Sequence, residues 1–180
     1  MTVLSEGELA LRARRLKLVL TDVDGVLTDT GVYYSERGEE LKRFSVRDGM
    51  GMELLRGAGI ETGFLTRENS GVVRARADKL GLRHVFLGVR DKLAHLSEVV
   101  ARTGIDANAI AFIGDDVNDL ALIERISVES LTGAPADAVA PVRALVHCVT
   151  PSGGGHGAFR DFADWILALV GPAHRGSPSR

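Results

Sequence analysis

Short apolar runs and longer stretches of helical period alternate along most of this chain. The strongest run, Lys17–Thr21, is rich in aliphatic residues, of strand length, and ends abruptly at Asp22, Asp24 and Gly25. Ahead of it, residues 5–16 predict a short helix. Ser5 with Glu8 three positions on makes a capping box, and Leu9, Leu11 and Leu16 supply a partial apolar face. Behind it, Val32–Ser35 and Leu41–Val46 predict two strands joined by a turn around Arg37-Gly38. From Asp48 onward helix and strand take turns. Helices are expected over 48–58, Asn69–Leu80, Asp91–Arg102, Val117–Arg125 and 158–170, with strands over Ile60–Leu65, Arg83–Leu87, Ala109–Ile113 and Leu145–Val149. Met50, Met52, Leu54 and Leu55, and further on Leu93, Leu96, Val99 and Val100, are candidate buried positions. Ser127–Ala138 is not legible, because Gly133 and Pro135 break any period. The pattern predicts an α/β fold: a Rossmann-like parallel sheet with a β-hairpin excursion over residues 31–46. Residues 1–170 read as one domain and the polar residues 171–180 as a disordered tail.

Composition changes this picture little. At 180 residues, 45% hydrophobic and 26% charged, the chain is long enough for a proper core and ordinary for a globular protein. A net charge of −2 leaves no basic footprint for nucleic acid and no polybasic patch for a membrane. No apolar run approaches a membrane span, and no signal-peptide core precedes the first strand. The single cysteine, Cys148, cannot form an internal disulfide. The expectation is a cytoplasmic protein without nucleic-acid or membrane partners.

Candidate chemistry changes it more. Two carboxylates two residues apart, where a buried strand stops, are either solvated in a loop or paired with a cation, since burying them unpaired is costly. Taken alone, Asp-x-Asp-Gly also suits an ordinary turn. Three further polar positions follow predicted strands: Thr66, Lys92 after His-Val-Phe-Leu-Gly, and the group Asp115, Asp116 and Asp119 after Phe-Ile-Gly. In parallel α/β sheets ligands bind outside the carboxyl ends of the strands. Each position has a plainer reading. Thr66 suits a helix cap, Asp115 and Asp116 a helix N-terminus, and Lys92 a solvated first turn, although a cation there is mildly unfavourable to the helix dipole.

The order Asp22-x-Asp24, Thr66, Lys92 and Gly114-Asp115-Asp116-Val117-Asn118-Asp119 resembles the four motifs of the haloacid dehalogenase (HAD) superfamily of phosphatases, over roughly residues 17–162. That resemblance implies an HAD fold, Asp22 as nucleophile and Asp24 as general acid/base. It implies Mg²⁺ as cofactor, held by Asp22, Asp115 and the backbone carbonyl of Asp24. A phosphate dianion repels an anionic nucleophile, so positive charge is required, and a hard, oxygen-loving cation suits the task. Lys92 would neutralise the transferring phosphoryl, Thr66 would hold its oxygens, and Asp119 would brace either Lys92 or the metal site.

The hairpin, the phrase GEELKRFSVRDGMG and the tail GGGHGAFRDF narrow the resemblance to the small capless phosphatases of 3-deoxy-octulosonate 8-phosphate and 2-keto-3-deoxynononate 9-phosphate. In that group four hairpins assemble a central barrel, which implies a homotetramer, and a long hairpin is only marginally stable alone. Arg47 and Asp48 match the family's segment near the substrate entrance, and the glycine-rich tail segment ending in Arg160 matches the part that reaches a catalytic site in family members. His156 stands where many relatives carry Arg, so it is either a substrate contact or a surface residue. Thr66 is followed by Arg67-Glu68 rather than Gly-Arg, which resembles the nine-carbon branch. Glu68 would then meet sugar hydroxyls, and Arg76 and Lys79 a carboxylate, unless the last two belong to a solvated, salt-bridged face. The implied substrate is a small phosphorylated sugar acid of eight or nine carbons. Other sugar phosphates, or a silent assembly module like those fused to sialic acid cytidylyltransferases, are the alternatives.

Overall fold

The computed structural model describes residues 4–171. The chain opens with α1 (Glu6–Arg15) and β1 (Leu18–Thr21), then leaves for a hairpin of β2 (Tyr33–Ser35) and β3 (Gly38–Leu41). Next come α2 (Val46–Gly57), β4 (Glu61–Leu65), α3 (Gly71–Leu80), β5 (His84–Phe86), α4 (Lys92–Thr103) and β6 (Ile110–Ile113). The remainder is α5 (Leu120–Ser127), β7 (Thr132–Ala134), α6 (Ala140–Arg143), β8 (Cys148–Val149) and α7 (Ala158–Val170). Six strands form one parallel sheet in the order β5-β4-β1-β6-β7-β8, and β2 and β3 pair only with each other. The expected α/β architecture with a hairpin excursion is present. The expected tail lies outside the described residues.

Local chemistry sets the element ends. Ser5 and Glu8 make the reciprocal capping box on α1. Asp91 accepts the Ala94 N–H at 2.9 Å to start α4, and Gly104, at φ +69°, stops it in the left-handed region that suits glycine. Alternation along the strands divides the core. Val19 and Phe64 pack toward α2 and α7 with Met52, Leu55, Phe159 and Phe162. Leu18, Leu20 and Phe112 pack on the opposite face with Leu96, Val99, Leu122 and Ile126.

Several boundaries differ from the sequence expectation for identifiable reasons. β3 spans Gly38–Leu41, not Leu41–Val46, and the turn is Glu36-Arg37. Ser45 caps α2 by accepting the Arg47 N–H at 3.1 Å, so Val46 becomes the first helical residue. Met50, Leu54, Leu93 and Leu11 are exposed, because α2, α4 and α1 bury narrower faces than their composition suggests. Val117–Asp119 is a tight 3₁₀ turn ahead of α5, and the last strand shrinks to two residues. The illegible stretch contains β7. A side chain at Gly133 would come within 2.6 Å of the Phe162 ring, so the glycine marks close packing of α7 on a sheet strand rather than a turn.

The start of α7 has no cap of its own, since its N-cap residue is Gly157. Asp48 of α2 supplies one from a distance. Its Oδ1 accepts the Arg160 N–H at 3.0 Å, with the Phe159 N–H alongside, while Oδ2 is buried and unpaired. Burial, partly offset by those N–H groups and by Arg76 and reinforced by Asp161, pushes its carboxyl up to about 6. A raised carboxyl stabilises the fold while protonated, so that contribution is lost as pH climbs from the ordinary value of 3.8 through about 6. Asp48→Asn therefore gains stability relative to the native chain over that interval and holds the gain at neutral pH. Melting temperatures across a pH series check this, and a pH-independent difference would refute it.

Candidate active site

The sheet register brings the motifs together. Thr21 pairs with Phe64 on one side and Ile113 on the other, so the segments after β1, β4 and β6 leave the sheet at one level. After β1 the chain builds outward through β4 and β5, then returns to place β6 on the opposite side. The crevice at that reversal is where open α/β sheets bind ligands.

Lys92, first residue of α4, sits at its centre. The side chain is buried, with Nζ 2.6 Å from Asp22 Oδ2 and in closer contact with Asp119 Oδ1. Burial works against its charge, but the two carboxylates outweigh it and hold the lysine pKa above its ordinary value. Asp22 Oδ1 accepts the Val23 N–H at 2.7 Å. Asp119 Oδ2 accepts the Asp115 N–H at 3.0 Å, so this one carboxylate spans Lys92 and the loop that carries Asp115.

Asp22, Asp115 and Asp119 each offer an oxygen within 4.8 Å of the others, the group of acids among the described residues suited to a metal ion. Three carboxylates face one ammonium there. Burial and the charges of Asp22, Asp119 and Asp116 push the Asp115 carboxyl up to about 8 against the opposing pull of Lys92. Burial and Asp22 push Asp119 upward as well, again opposed by Lys92. The protein alone does not balance these charges. A hard divalent cation with oxygen ligands fits the donor set and supplies what is missing.

Glycines let the loops come this close. A side chain at Gly25, where φ is +85°, would lie 1.9 Å from Asp115 Oδ2. From the far end of the chain, Gly154 packs so tightly over the first motif that a side chain would meet the Gly25 carbonyl at 2.1 Å. The Gly155 N–H donates to the Val26 carbonyl at 3.0 Å, and Asp137 Oδ1 accepts the Gly154 N–H at 2.9 Å. Asp137 thus anchors the glycine loop, from a stretch to which the sequence assigned nothing.

The remaining expected residues divide. Thr66 is buried at the end of β4, its hydroxyl oxygen 3.4 Å from the Glu68 N–H. Asp116 is exposed and accepts the Val117 N–H. Asp24 lies outside the acid cluster, with Oδ1 2.5 Å from Lys42 Nζ. Arg47 is exposed beside Gly157, Glu68 and Lys79 are exposed, and Arg160 pairs with Asp164 on its own helix at 2.8 Å. Asp48 is taken up by α7. Arg76 donates to the Ser45 carbonyl at 3.1 Å and lies over Phe44, bracing the path from hairpin to α2. His156 is neither free nor solitary. Its Nδ1 meets the Gly154 carbonyl at 2.7 Å and its Nε2 meets Arg43, whose Nε donates to Asp29 at 3.0 Å. Donation from Nδ1 to the carbonyl leaves Nε2 as acceptor for the guanidinium. Nothing in the hydrophobic pattern singles out Lys42 or Arg43, because both look like solvated hairpin charges until their partners are known.

A parallel sheet whose carboxyl edge presents an acid cluster, a buried lysine and a strand-end threonine defines a HAD-type hydrolase of phosphate monoesters. No family model matches the chain. It is 38% identical over 160 residues to the 3-deoxy-D-manno-octulosonate 8-phosphate phosphatase KdsC of Haemophilus influenzae, covering 89% of this chain and 87% of that one. To the enzyme of the same description from Escherichia coli K12 it is 34% identical over 165 residues, covering 92% and 86%. Among solved structures, the cobalt-bound deoxy-D-mannose-octulosonate 8-phosphate phosphatase of H. influenzae superposes with a TM-score of 0.82 at 37% identity, covering 88% of this chain and 91% of that one. The Moraxella catarrhalis phosphatase, in complex with magnesium, phosphate and KDO, also gives 0.82, at 34% identity and 91% and 92% coverage. The chain belongs to the 3-deoxy-D-manno-octulosonate 8-phosphate phosphatase family of the HAD superfamily.

Replacing Lys92 tests the charge balance directly. Lys92→Met leaves Asp22 and Asp119 buried without their shared cation and lowers unfolding free energy by about 3–5 kcal/mol in metal-free buffer. Urea titration measures it, and unchanged stability would contradict the assignment.

Proposed function

We propose that this chain is a Mg²⁺-dependent phosphatase that removes the terminal phosphate of a 2-keto-3-deoxy sugar acid, with octulosonate 8-phosphate as the preferred substrate. The observation that carries it is Lys92 held between Asp22 and Asp119 beside Asp115, on the background of relatives named for that substrate. Those names weigh against the nine-carbon acid that Glu68 suggested. Asp22, Asp115 and the backbone carbonyl of Asp24 would hold Mg²⁺, which when bound offsets the negative charge of phosphate and carboxylates.

Asp22 attacks phosphorus and forms an aspartyl-phosphate as the bond to the sugar oxygen breaks. Asp24 gives its proton to that departing oxygen, then takes one from the water that attacks the phosphoryl-enzyme, restoring Asp22. Lys92 neutralises the charge that shifts onto the phosphoryl oxygens, and Asp119 fixes its direction. Thr66 accepts the Glu68 N–H, so its own hydroxyl proton remains for a phosphoryl oxygen. Arg47, Arg160, Glu68 and Lys79 are the residues we assign to the sugar acid. For Asp48 and Arg76 we prefer a supporting role, given their contacts with α7 and Ser45.

We read residues 1–170 as one phosphatase domain whose hairpin is an assembly flap of a homotetramer. The support is the number of large apolar side chains left exposed in this part of the chain: Tyr33, Tyr34 and Leu41 on the hairpin, and Val46, Met50 and Leu54 on α2. A cytoplasmic site of action accords with the lone thiol, which burial pushes up to about 11 and so keeps unreactive. Among the described residues no helix is long and apolar enough to cross a membrane.

Phosphate release from octulosonate 8-phosphate should require Mg²⁺, stop with a chelator, and fall at least about a thousandfold in Asp22→Asn. Faster turnover of nononate 9-phosphate would overturn the eight-carbon preference. Cleavage of 4-nitrophenyl phosphate alone would keep the chemistry and discard the substrate class. The double variant Tyr34→Lys, Leu41→Glu should sediment as a smaller species than the native chain, and identical sedimentation would refute the flap.

A further inference from the structure

The hairpin reaches the acid/base carboxylate through one buried lysine. Lys42 follows β3 directly, and its side chain is only 1% exposed although both hairpin strands are largely open to solvent. Burying an ammonium is costly unless it is paired. Its partners come from two different parts of the chain. Nζ lies 2.5 Å from Asp24 Oδ1 in the first motif and 3.2 Å from Glu39 Oε2 in β3. Glu39 in turn accepts the hydroxyl of Ser70, and that hydroxyl oxygen takes the Val73 N–H as the N-cap of α3. Four side chains therefore run without a break from the helix after β4, through the hairpin, to Asp24.

Asp24 itself is asymmetric. Oδ1 receives Lys42, with the Thr28 hydroxyl at 3.4 Å, whereas Oδ2 is buried and has no hydrogen-bond partner among the described residues. A buried acceptor left unpaired is expensive in a site with no use for it. A carboxyl with one oxygen gripped cannot rotate freely, so the same oxygen stays presented to whatever enters the crevice. Positioning of this kind matters because small displacements of a reacting group cost large factors in rate.

We propose that Lys42 is a positioning residue for Asp24. By holding Oδ1 it fixes the carboxyl so that Oδ2 is the oxygen that passes its proton to the departing sugar oxygen, as the electron pair of the P–O bond moves onto that oxygen. The hairpin thus completes the site of its own chain, besides any role in assembly. This rests on the reading of Asp24 as acid/base in the proposed function. Lys42 has a competing role as a mere anchor of the hairpin, and the two roles differ in one respect. An anchor affects all substrates alike, whereas a positioned acid matters only where the leaving group needs a proton.

The test compares kcat/KM, which reports the steps through loss of the leaving group, for glycerol 3-phosphate and 4-nitrophenyl phosphate with Mg²⁺. Nitrophenolate departs without protonation, and an alkoxide does not. Lys42→Met should lose about tenfold more on the alkyl than on the aryl ester, a fraction of what general acid catalysis supplies. Lys42→Arg, which keeps the charge but not the single-point contact, should fall between that variant and the native chain. Equal losses on both esters, or none, would overturn the inference while Asp24→Asn still discriminates between them. If Asp24→Asn itself fails to discriminate, the acid/base reading falls and the inference with it. Should the methionine variant not fold, Lys42→Arg decides alone: a smaller loss confined to the alkyl ester supports the positioning role, and no difference between esters removes it.

Discussion

The Lys92 ammonium, wedged between Asp22 and Asp119 at the carboxyl edge of the sheet, is the interaction on which the rest of this structure depends. One buried cation cannot neutralise three converging acids, and burial together with the neighbouring carboxylates raises the Asp115 carboxyl. A site poised in this way favours a divalent cation and, with it, a phosphate dianion. The geometry that maintains the imbalance is ordinary: three neighbouring parallel strands in register, and a helix that starts beside them with its capping aspartate one residue before the lysine.

Two peripheral segments close over that centre. The glycine loop ahead of α7 lies on the first motif at distances no side chain would permit, tied down by Asp137 below and by the Gly155 amide on Val26. The hairpin and the segment after it supply the second, with Lys42 on Asp24 and Arg43 bridging Asp29 and His156 of the glycine loop. Asp48 links the two regions by capping α7 from the start of α2. The site is therefore held by contacts between parts of the chain more than a hundred residues apart, although each motif is local.

The first motif, Thr66, Lys92 and the Gly114–Asp119 segment were legible because each follows a buried strand, and strand ends are where a polar residue stands out against an apolar run. The hairpin's second strand was misplaced because Phe44 and Val46 read as strand residues. Ser45 turns them into a helix entry, and Phe44 packs inward beneath Arg76. β7 was invisible because its central residue is a glycine demanded by Phe162, and glycine in a sequence reads as a turn.

The sequence by itself determined the parallel α/β alternation, the acids and lysine of the centre, and the resemblance that gives them roles. Periodicity and strand-end polarity are properties of consecutive residues and need no partner to be seen. Tertiary structure alone decided which charges are occupied. Asp48 serves a helix, Arg76 a loop carbonyl and His156 an arginine, while an unremarked hairpin lysine lies against Asp24 of the first motif. A side chain's electrostatic partner is fixed by the packing of distant segments, and no spacing along the chain encodes that contact locally.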